Sequence, residues 1–513
     1  MDLSNPLTLI LSIAAALAIL ALTIWLLVFL TRPSAGRDVL RMAIPLNCLA
    51  RRNRQNHVFL GFTLNSRRLA SQILQEWKKE KRKKNQGYLV FVDLNPRFNK
   101  SAERDLRSQL GSTRIVVLNG NLVKTDGASL AASLHLRGLQ PWLANPRTSL
   151  YLFSEKREEN LALLSLTSAD RKIKAKVFYY APDPNGLDAL IVWTGRRVRL
   201  LNPYQMTYMY VKQNRPEWMP IQYVNKALDK EGRPAGYVLD GLHAGVIGFG
   251  NAGQEALRFL YEFGCFVGKD GQKAPMSIDV FDPDISRHVG TFLQSAPALK
   301  GEEALRWHAY STGSAEFWDA FEKDSRLNYL IVAMDDGPRN IETGIALLAS
   351  AARTGKDLSR MLILVGNGSD KREYRDLLDT YNAVYCPSGV KVLHSIGLPD
   401  QIWNADVISG RRFKKAALLY NEQQVSLGKE EPWEERKRRL GETAGHSPRS
   451  RMELQRLQAL DISHALFAST LLSLTPEGIQ DEDNARYLLA QEQLHRSCAL
   501  AVMGGIEDGK SSF

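Results

Sequence analysis

The chain has 513 residues, with 67 Lys+Arg against 55 Asp+Glu, four cysteines and 44% hydrophobic residues. This length predicts about two to four domains, and the ordinary charged (24%) and aromatic (9%) fractions exclude wholesale disorder. The cysteines show no CxxC spacing and the nine histidines form no HExxH or His/Cys cluster. This scatter argues against a metal site and is typical of reduced, mostly structural thiols.

The first strong pattern is the stretch Leu7–Leu30, which contains no charged residue. As a helix it would be about 36 Å long, enough to cross a hydrocarbon core of ~30 Å. The alternative is a cleaved signal peptide, but no Lys or Arg precedes the stretch and no small-residue cleavage site follows it. We therefore expect a transmembrane anchor over residues 1–31, followed by a basic juxtamembrane linker over 32–54.

The arginines of this linker set the expected orientation, because positive residues stay on the cytoplasmic side. The chain is predicted to be a single-pass protein of the cell (inner) membrane, with its N-terminus outside and all later domains in the cytoplasm. The same arginines would attract anionic headgroups, so membrane lipids are expected partners.

The next signal is a Gly-x-Gly-x-x-Gly motif after the apolar, β-rich run Ala244–Phe249, followed by apolar residues at helical spacing. In such a strand–turn–helix unit the first glycine permits a tight turn and the second lets a pyrophosphate approach the backbone. The third glycine lets the helix pack closely on the strand. The candidate cofactor-binding residues of the motif are Gly248, Gly250, Asn251, Ala252 and Gly253.

Two acidic strand ends extend this candidate site. The strand Ser277–Phe281 ends at Asp282, which can accept hydrogen bonds from ribose hydroxyls. Asp282 lies 29 residues after Gly253 rather than the usual ~20, because the intervening loop is long. A later strand ends at Asp335 and Asp336, and Asp335 is expected to contact the same ligand. The alternative is a Rossmann fold that keeps its glycines only for packing.

The pattern occurs twice along the chain. Four segments align between the two copies: 57–75 with 243–261, 87–96 with 276–284, 148–166 with 328–348, and 174–185 with 360–370. The predicted fold class is therefore α/β, with two tandem doubly wound Rossmann-like domains, one N-terminal transmembrane helix and a small α-helical C-terminal region. We expect the domains at 55–240 and 241–420.

The first copy has lost most of the phosphate motif. The alignment places Leu64 and Arg67 where the second copy has its second and third glycines, and it keeps only Gly61. Because a side chain at the second position would block a pyrophosphate, we interpret this copy as scaffold or interface. Binding of a different ligand is the alternative.

The second copy resembles the nucleotide-binding domain of potassium-transport regulators, called the RCK or TrkA-N domain. The resemblance rests on GFGNAG (248–253), VFDPD (280–284) and YLIVAMDDGPRNIETGIALLA (329–349), with RIVVLNGNLVKTDGASLAASLHLRGLQ (114–140) as a weaker match in the first copy. It covers about residues 55–410. It implies a bound NAD(H) or another adenine nucleotide (ATP or ADP), in the second domain only, and a homo-oligomer, a dimer or higher.

The C-terminal region, 421–513, differs in composition. A charged, Gly/Pro-punctuated stretch over 428–451 reads as a linker, and two helical patterns follow, Met452–Leu474 and Asp483–Met503. The second pattern resembles the helices of ryanodine-receptor-repeat (RyR) domains. A helical cap or an oligomerisation hairpin is the alternative.

No catalytic set can be placed in the sequence. Thr207–Val211 followed by Lys212 contains the letters of a Tyr/Lys pair, but we expect it in the connection between the copies rather than on a helix beside the glycine motif. The basic run over 77–84 closes a predicted helix without interleaved aromatics, which favours a solvated or membrane-facing helix end over nucleic-acid binding.

One predicted span without a selectivity filter cannot form a channel within one chain. The predicted function is therefore a membrane-anchored nucleotide sensor whose tandem RCK-like domains regulate ion (potassium) transport or another membrane effector through ligand-dependent assembly, with a transport or effector protein as partner. Two alternatives stay open: a membrane-anchored NAD(P)-dependent oxidoreductase, and a structural interaction protein with vestigial nucleotide sites.

Overall fold

The computed structural model describes ten stretches of the chain and several isolated positions. The stretches are 54–79, 86–93, 115–119, 142–154, 156–169, 173–182, 198–228, 234–368, 371–404 and 407–408, and the isolated positions are 20, 23, 104, 108, 139, 230, 232, 432, 435 and 438. The predicted anchor (apart from positions 20 and 23), most of the juxtamembrane linker and nearly all of the predicted C-terminal region lie outside the described residues. Within the described residues, no helix combines the length and the apolar character needed to cross a membrane.

The first sheet has six strands in the order β3-β2-β1-β4-β5-β6. Its strands are β1 (Gln55–Leu60), β2 (Gln86–Asp93), β3 (Ile115–Asn119), β4 (Ser149–Leu152), β5 (Lys176–Tyr180) and β6 (Val198–Leu201). Among the described residues, the helices α1 (Leu64–Lys79) and α2 (Arg157–Ala169) accompany it. The central strand β1 pairs in parallel with β2 on one side and β4 on the other, so the strand order reverses at β1.

The second sheet repeats this order as β11-β10-β9-β12-β13-β14. Its strands are β9 (His243–Ile247), β10 (Ser277–Phe281), β11 (Leu305–His308), β12 (Tyr329–Val332), β13 (Leu362–Gly366) and β14 (Leu393–Ile396). Its helices are α4 (Asn251–Phe263), α5 (Ile285–Ser295), α6 (Ala315–Lys323), α7 (Gly337–Arg353), α8 (Arg372–Tyr385) and α9 (Pro399–Ile402). The prediction of two doubly wound, Rossmann-like parallel sheets is confirmed.

Both faces of the second sheet are covered, which explains why its strands are nearly continuous apolar runs. Alternate residues of β12 enter different cores: Tyr329 and Ile331 pack on the side of α4, whereas Leu330 and Val332 pack on the side of α7. All four side chains are 1% exposed or less. The period of two along the strand therefore fills two hydrophobic layers at once.

The segment between the sheets contains regular structure. It holds α3 (Pro203–Asn214) and an antiparallel pair of strands, β7 (Lys226–Leu228) and β8 (Pro234–Val238). The chain divides into two compact units, one of residues 1–180 and 194–200 and the other of residues 181–193 and 201–513, so α3 belongs to the same unit as the second sheet. Within that unit α3 packs on α4, the helix that follows the glycine motif, since Tyr208 stacks on Phe259.

Candidate functional site

The glycine motif forms the turn between β9 and α4. Gly248 has a φ of +87°, and a Cβ there would lie 2.8 Å from the Met334 backbone nitrogen, so only glycine fits. Its own N–H donates to the carbonyl of Phe281 at 2.8 Å. The first glycine therefore sets a tight turn at the point where β9 lies between β10 and β12.

The third glycine is required for close packing of the turn and helix. A Cβ at Gly253 would overlap the Gly248 carbonyl group, lying 2.8 Å from its carbon. The second glycine faces more open space, because the nearest atom to a Cβ at Gly250 would be the Asp335 Oδ1, 3.5 Å away. Gly250 is the N-cap of α4, and it supplies no side-chain cap to the first turn. Such a helix start is suited to an anion that supplies the missing acceptors.

Asp282 lies directly after β10, at the same edge of the sheet, and is 7% exposed. Its Oδ2 accepts the N–H of Phe249, inside the glycine turn, at 2.7 Å, and its Oδ1 accepts the N–H of Asp284 at 2.7 Å. The Nδ1 of His288 lies 3.4 Å from that Oδ1. The carboxylate thus fixes the turn, and its Oδ2, which accepts from Phe249, can accept a second hydrogen bond from a ligand hydroxyl. The long spacing from Gly253 is taken up by a turn bridged between Val267 and Lys273.

Asp335 and Asp336 lie beyond the strand on which the sequence placed them, because β12 ends at Val332. Asp336 is the N-cap of α7, and Asp335 is exposed beside Gly250. The turn after β12 therefore directs the Asp335 carboxylate toward the surface where a pyrophosphate would approach. A like charge at this position opposes phosphate binding unless a cation or a ligand donor group compensates for it.

The structure brings every predicted site residue to one edge of the second sheet, where the strands β9, β10 and β12 end. These residues are Gly248, Gly250, Asn251, Ala252, Gly253, Asp282 and Asp335. Asn251 begins α4, and its Nδ2 lies 3.5 Å from the carbonyl oxygen of Pro182. The edge is also the topological switch point, where doubly wound sheets bind ligands.

The first copy corrects the sequence alignment by one residue. Gly61 has a φ of +112° and donates to the Val92 carbonyl at 3.0 Å, as Gly248 does to Phe281. Helix α1 begins three residues after Gly61, just as α4 begins three residues after Gly248. The assignment of Leu64 and Arg67 to the second and third glycine positions was therefore wrong. The residues that occupy those positions are Thr63 and Ser66.

These two side chains close the first turn of α1. Thr63 N–H donates to Ser66 Oγ at 2.9 Å, and Ser66 N–H donates to Thr63 Oγ1 at 3.2 Å, a reciprocal pair of the capping-box type. Ser66 is fully buried. The first copy thus supplies from its own side chains the acceptor that the second copy lacks at its helix start.

In both copies a buried asparagine of the helix after the fourth strand binds the backbone at the end of that strand. In the second copy, Asn340 Nδ2 donates to the carbonyls of Met334 (2.8 Å) and Gly366 (2.9 Å), and its Oδ1 accepts the Met334 N–H at 3.0 Å. In the first copy, Asn160 exchanges two 2.8 Å hydrogen bonds with the Ser154 backbone. The alignment of 148–166 with 328–348 pairs these asparagines, although their role was not predicted. They tie the end of the fourth strand to the helix that follows it.

Thr207–Val211 lie in the connection between the two copies, as expected, but that connection forms the helix α3, which packs on α4. Tyr208, 5% exposed, stacks on Phe259 of α4 at 5.2 Å, and burial, then the charge of Glu255, raises the pKa of its phenol. Lys212 Nζ lies 2.6 Å from Glu262 Oε2. Both partners, Phe259 and Glu262, lie in the second half of α4, so the two side chains pack α3 against the end of α4 that is remote from Gly250.

Fold and site together define an α/β protein with two tandem Rossmann-like sheets, one of which carries an intact glycine motif. No family model matches the chain, and no curated protein matches it. Among solved structures it is similar to the apo form of the lipopolysaccharide outer core galactosyltransferase WaaB, at 12% identity and a TM-score of 0.21. That alignment covers 69% of this chain and 91% of the transferase. At that TM-score the likeness assigns neither an activity nor a substrate to this chain.

Proposed function

We propose that the second Rossmann-like domain binds an adenine nucleotide, NAD(H) or ATP/ADP, and that the first does not. One contrast carries the proposal: the helix start behind Gly250 has no side-chain cap, whereas Thr63 and Ser66 cap the equivalent turn of the first copy. An anion at the second turn would meet backbone donors and a favourable helix dipole. The buried Asp282 beside the turn offers acceptors to a ribose.

The proposed role is sensing rather than catalysis. The RCK/TrkA-N resemblance and the apolar stretch Leu7–Leu30 favour a single-pass protein of the cell membrane with its domains in the cytoplasm. Occupancy would favour one arrangement or assembly state of the domains, in a homo-oligomer, and so regulate ion transport or another membrane effector. Because one span forms no pore, a partner protein or self-assembly would supply the output. The basic linker would hold the domains near anionic lipids.

A purely structural role with vestigial sites is the second candidate, and one observation favours it. The Asp335 carboxylate beside Gly250 opposes a phosphate group. The oxidoreductase alternative has less support, because the Tyr208 and Lys212 side chains are occupied by Phe259 and Glu262.

Calorimetry on the full-length protein in detergent tests the binding proposal. Wild type is titrated with ADP and with NAD+, and Gly250→Glu, which places a carboxylate in the phosphate path, should lose binding. The matched control is Gly290→Ala on α5, where a Cβ meets no atom within 4 Å, and it should bind like wild type. No binding of any adenine nucleotide by wild type would favour the structural role.

The output is tested separately, in cells that express the full chain. If occupancy drives the membrane effect, Gly250→Glu changes potassium uptake while Gly290→Ala does not. A variant that loses nucleotide binding and leaves ion transport unchanged would contradict the transport role while leaving the binding proposal intact.

A further inference from the structure

The helix α8 carries an apolar ridge on the surface of the second unit. Leu377 is 40% exposed and Val384 is 68% exposed, and Tyr381 lies between them on the same side of the helix, at spacings of four and three residues. The side of α8 that packs on the core is a different one, since Leu378 is buried in the hydrophobic layer that α6 and α7 also cover. The ridge is therefore apolar surface that the packing of α8 does not bury.

A groove of about 770 Å³ lies directly beside this ridge. Tyr385, the last residue of α8, stacks on Tyr381 of the ridge at 6.2 Å and also lines the groove, as does Trp318 of α6. The remaining apolar lining is a row of short side chains on α7: Ala346, Ala349 and Ala352. Ridge and groove thus meet at Tyr385 and form one continuous surface.

Charged side chains around this surface are paired within the chain. Glu322 and Arg353 line the groove and form an ion pair with each other. The further ion pairs are Asp319 with Lys323 on α6, Arg372 with Asp376 on α8, and Asp379 with Lys391. These four pairs add no net charge, whereas the whole chain has a formal net charge of +12. Two copies can therefore meet through this surface without the like-charge repulsion that their net charge produces elsewhere.

The three helices around the groove supply an area of the size that a dimer needs. α6, α7 and α8 have 9, 17 and 14 residues, which at 1.5 Å per residue makes about 60 Å of helix. With a width of about 10 Å for each helix, their outer side measures about 600 Å² in projection. The accessible area of a surface covered by side chains exceeds its projection, and a stable interface takes about 800 Å² from each partner.

We propose that this surface of the second unit is a two-fold interface between two copies of the chain, in which the ridge of each copy packs into the groove of the other. A two-fold axis requires a self-complementary surface, and a ridge beside a groove on one face meets this requirement in both directions. The inference names the surface for the self-assembly in the proposed function and rests on that part of it, but it does not depend on nucleotide binding.

Light scattering on the full-length protein in detergent, corrected for bound detergent, tests the inference with and without saturating ADP. Wild type should be a dimer. Val384→Asp places an unpaired charge in the interface and should raise the dimer Kd by at least about tenfold. Leu377→Asp, at the other end of the ridge, should act in the same way. The matched control is Ala383→Asp, at an exposed position of α8 beside the ridge, and it should dimerise like wild type.

Mixing two variants tests the fit of the ridge to the groove. Ala349→Lys, in the groove, should also raise the dimer Kd by about tenfold when it is alone. A mixture of Val384→Asp and Ala349→Lys chains should recover a dimer with one chain of each kind. The new carboxylate on the ridge of one chain then meets the new ammonium group in the groove of the other, and no contact within a single chain can produce this rescue.

A wild-type protein that stays monomeric with and without ADP overturns the inference. So do equal dimer affinities of Val384→Asp and Ala383→Asp, and a mixture of the two complementary variants that stays monomeric. Titration of the same samples with ADP and NAD+ keeps the nucleotide proposal separate. A wild-type dimer that binds no adenine nucleotide overturns that proposal alone, whereas a Val384→Asp protein that loses the dimer and binds ADP like wild type supports the interface.

Discussion

The second and third glycines of the turn between β9 and α4 have different roles, since Gly253 is needed for packing and Gly250 for the approach of a ligand. Single alanine substitutions at the two positions distinguish these roles. At Gly253 a Cβ would overlap the carbonyl group of Gly248, and both are backbone atoms that cannot rotate away. Helix α4 would have to move off the turn, at a cost of about 3 kcal/mol by analogy with overpacked cores. For a domain of this size that predicts a melting temperature lower by about 6–12 °C.

At Gly250 the outcome differs, because a Cβ there would lie 3.5 Å from Asp335 Oδ1, an ordinary contact, and φ is −64°. Gly250→Ala should therefore melt within about 2 °C of wild type. It should nevertheless bind ADP at least about tenfold more weakly, since the methyl group fills the approach to the backbone.

The assay is thermal unfolding of the full-length protein in detergent, combined with ADP titration. At Gly290 on α5 a Cβ would meet no atom within 4 Å, so Gly290→Ala should raise the melting temperature of the second unit by about 2–4 °C through its higher helix propensity. The transition that shifts in this variant is the unfolding of the second unit. A Gly253→Ala protein that melts with wild type would refute the geometry deduced for the turn. A Gly250→Ala protein that binds ADP like wild type would refute its role in ligand approach.

Three further outcomes are expected. Thr63→Ala removes the cap of α1 and should lower the free energy of unfolding of the first unit by about 1 kcal/mol. Leu64→Ala, at an exposed position, should lower it far less. Equal losses of the two variants in a denaturant titration would contradict the corrected register. Asp335→Asn should tighten ADP binding about fivefold in EDTA, because the repulsion between two like charges about 5 Å apart in water is about 1 kcal/mol. Weaker binding of ADP by this variant in calorimetry would contradict the prediction and would mean that the carboxylate accepts a ligand hydroxyl. Burial lowers the pKa of His57 to about 3, from 6.5, so the folded first unit holds it neutral while the unfolded chain takes up a proton below pH 6.5. Stability should therefore fall as pH drops from 6.5 toward 3, by up to about 1.4 kcal/mol per pH unit from this residue, and a His57→Phe protein with the same pH slope in urea unfolding would contradict that assignment.

The parallel sheets and the second glycine turn could be predicted because their signals are strong and local. The apolar run before Gly248 and the helical spacing after Gly253 leave one strand–turn–helix reading. The strand Ser277–Phe281 was predicted with the bounds that the structure has. Two copies of the pattern also supported each other, since four of the six strands of each sheet had a partner in the alignment.

The register of the first turn could not be predicted in the same way. Once the second and third glycines are replaced, the glycine spacing no longer distinguishes Leu64 from Thr63 at the second position. The choice depends on a pair of side-chain hydrogen bonds between Thr63 and Ser66. A Thr-x-x-Ser spacing just before a helical pattern is a weak sign of such a cap, and it is the signal that could have corrected the alignment.

Helix α3 was missed because its sequence has no clear apolar period, its buried side chains being shared among several neighbours. Its start does carry a signal, since Asn202 caps the helix and Pro203 occupies the first helical position. The contact of Thr207 in α3 with Gly397, which follows β14, depends on tertiary packing alone. No local pattern encodes it, because the two residues lie far apart along the chain.

We propose that the second glycine turn binds an adenine nucleotide and the first does not. Hydrogen–deuterium exchange of the full-length protein, with and without saturating ADP, distinguishes the two turns in one experiment. With ADP, exchange should slow in peptides that cover 248–256 and 280–285. Peptides over 61–67 should exchange at the same rate in both samples. Protection at 61–67, or unchanged exchange across 248–256 with ADP present, would contradict it.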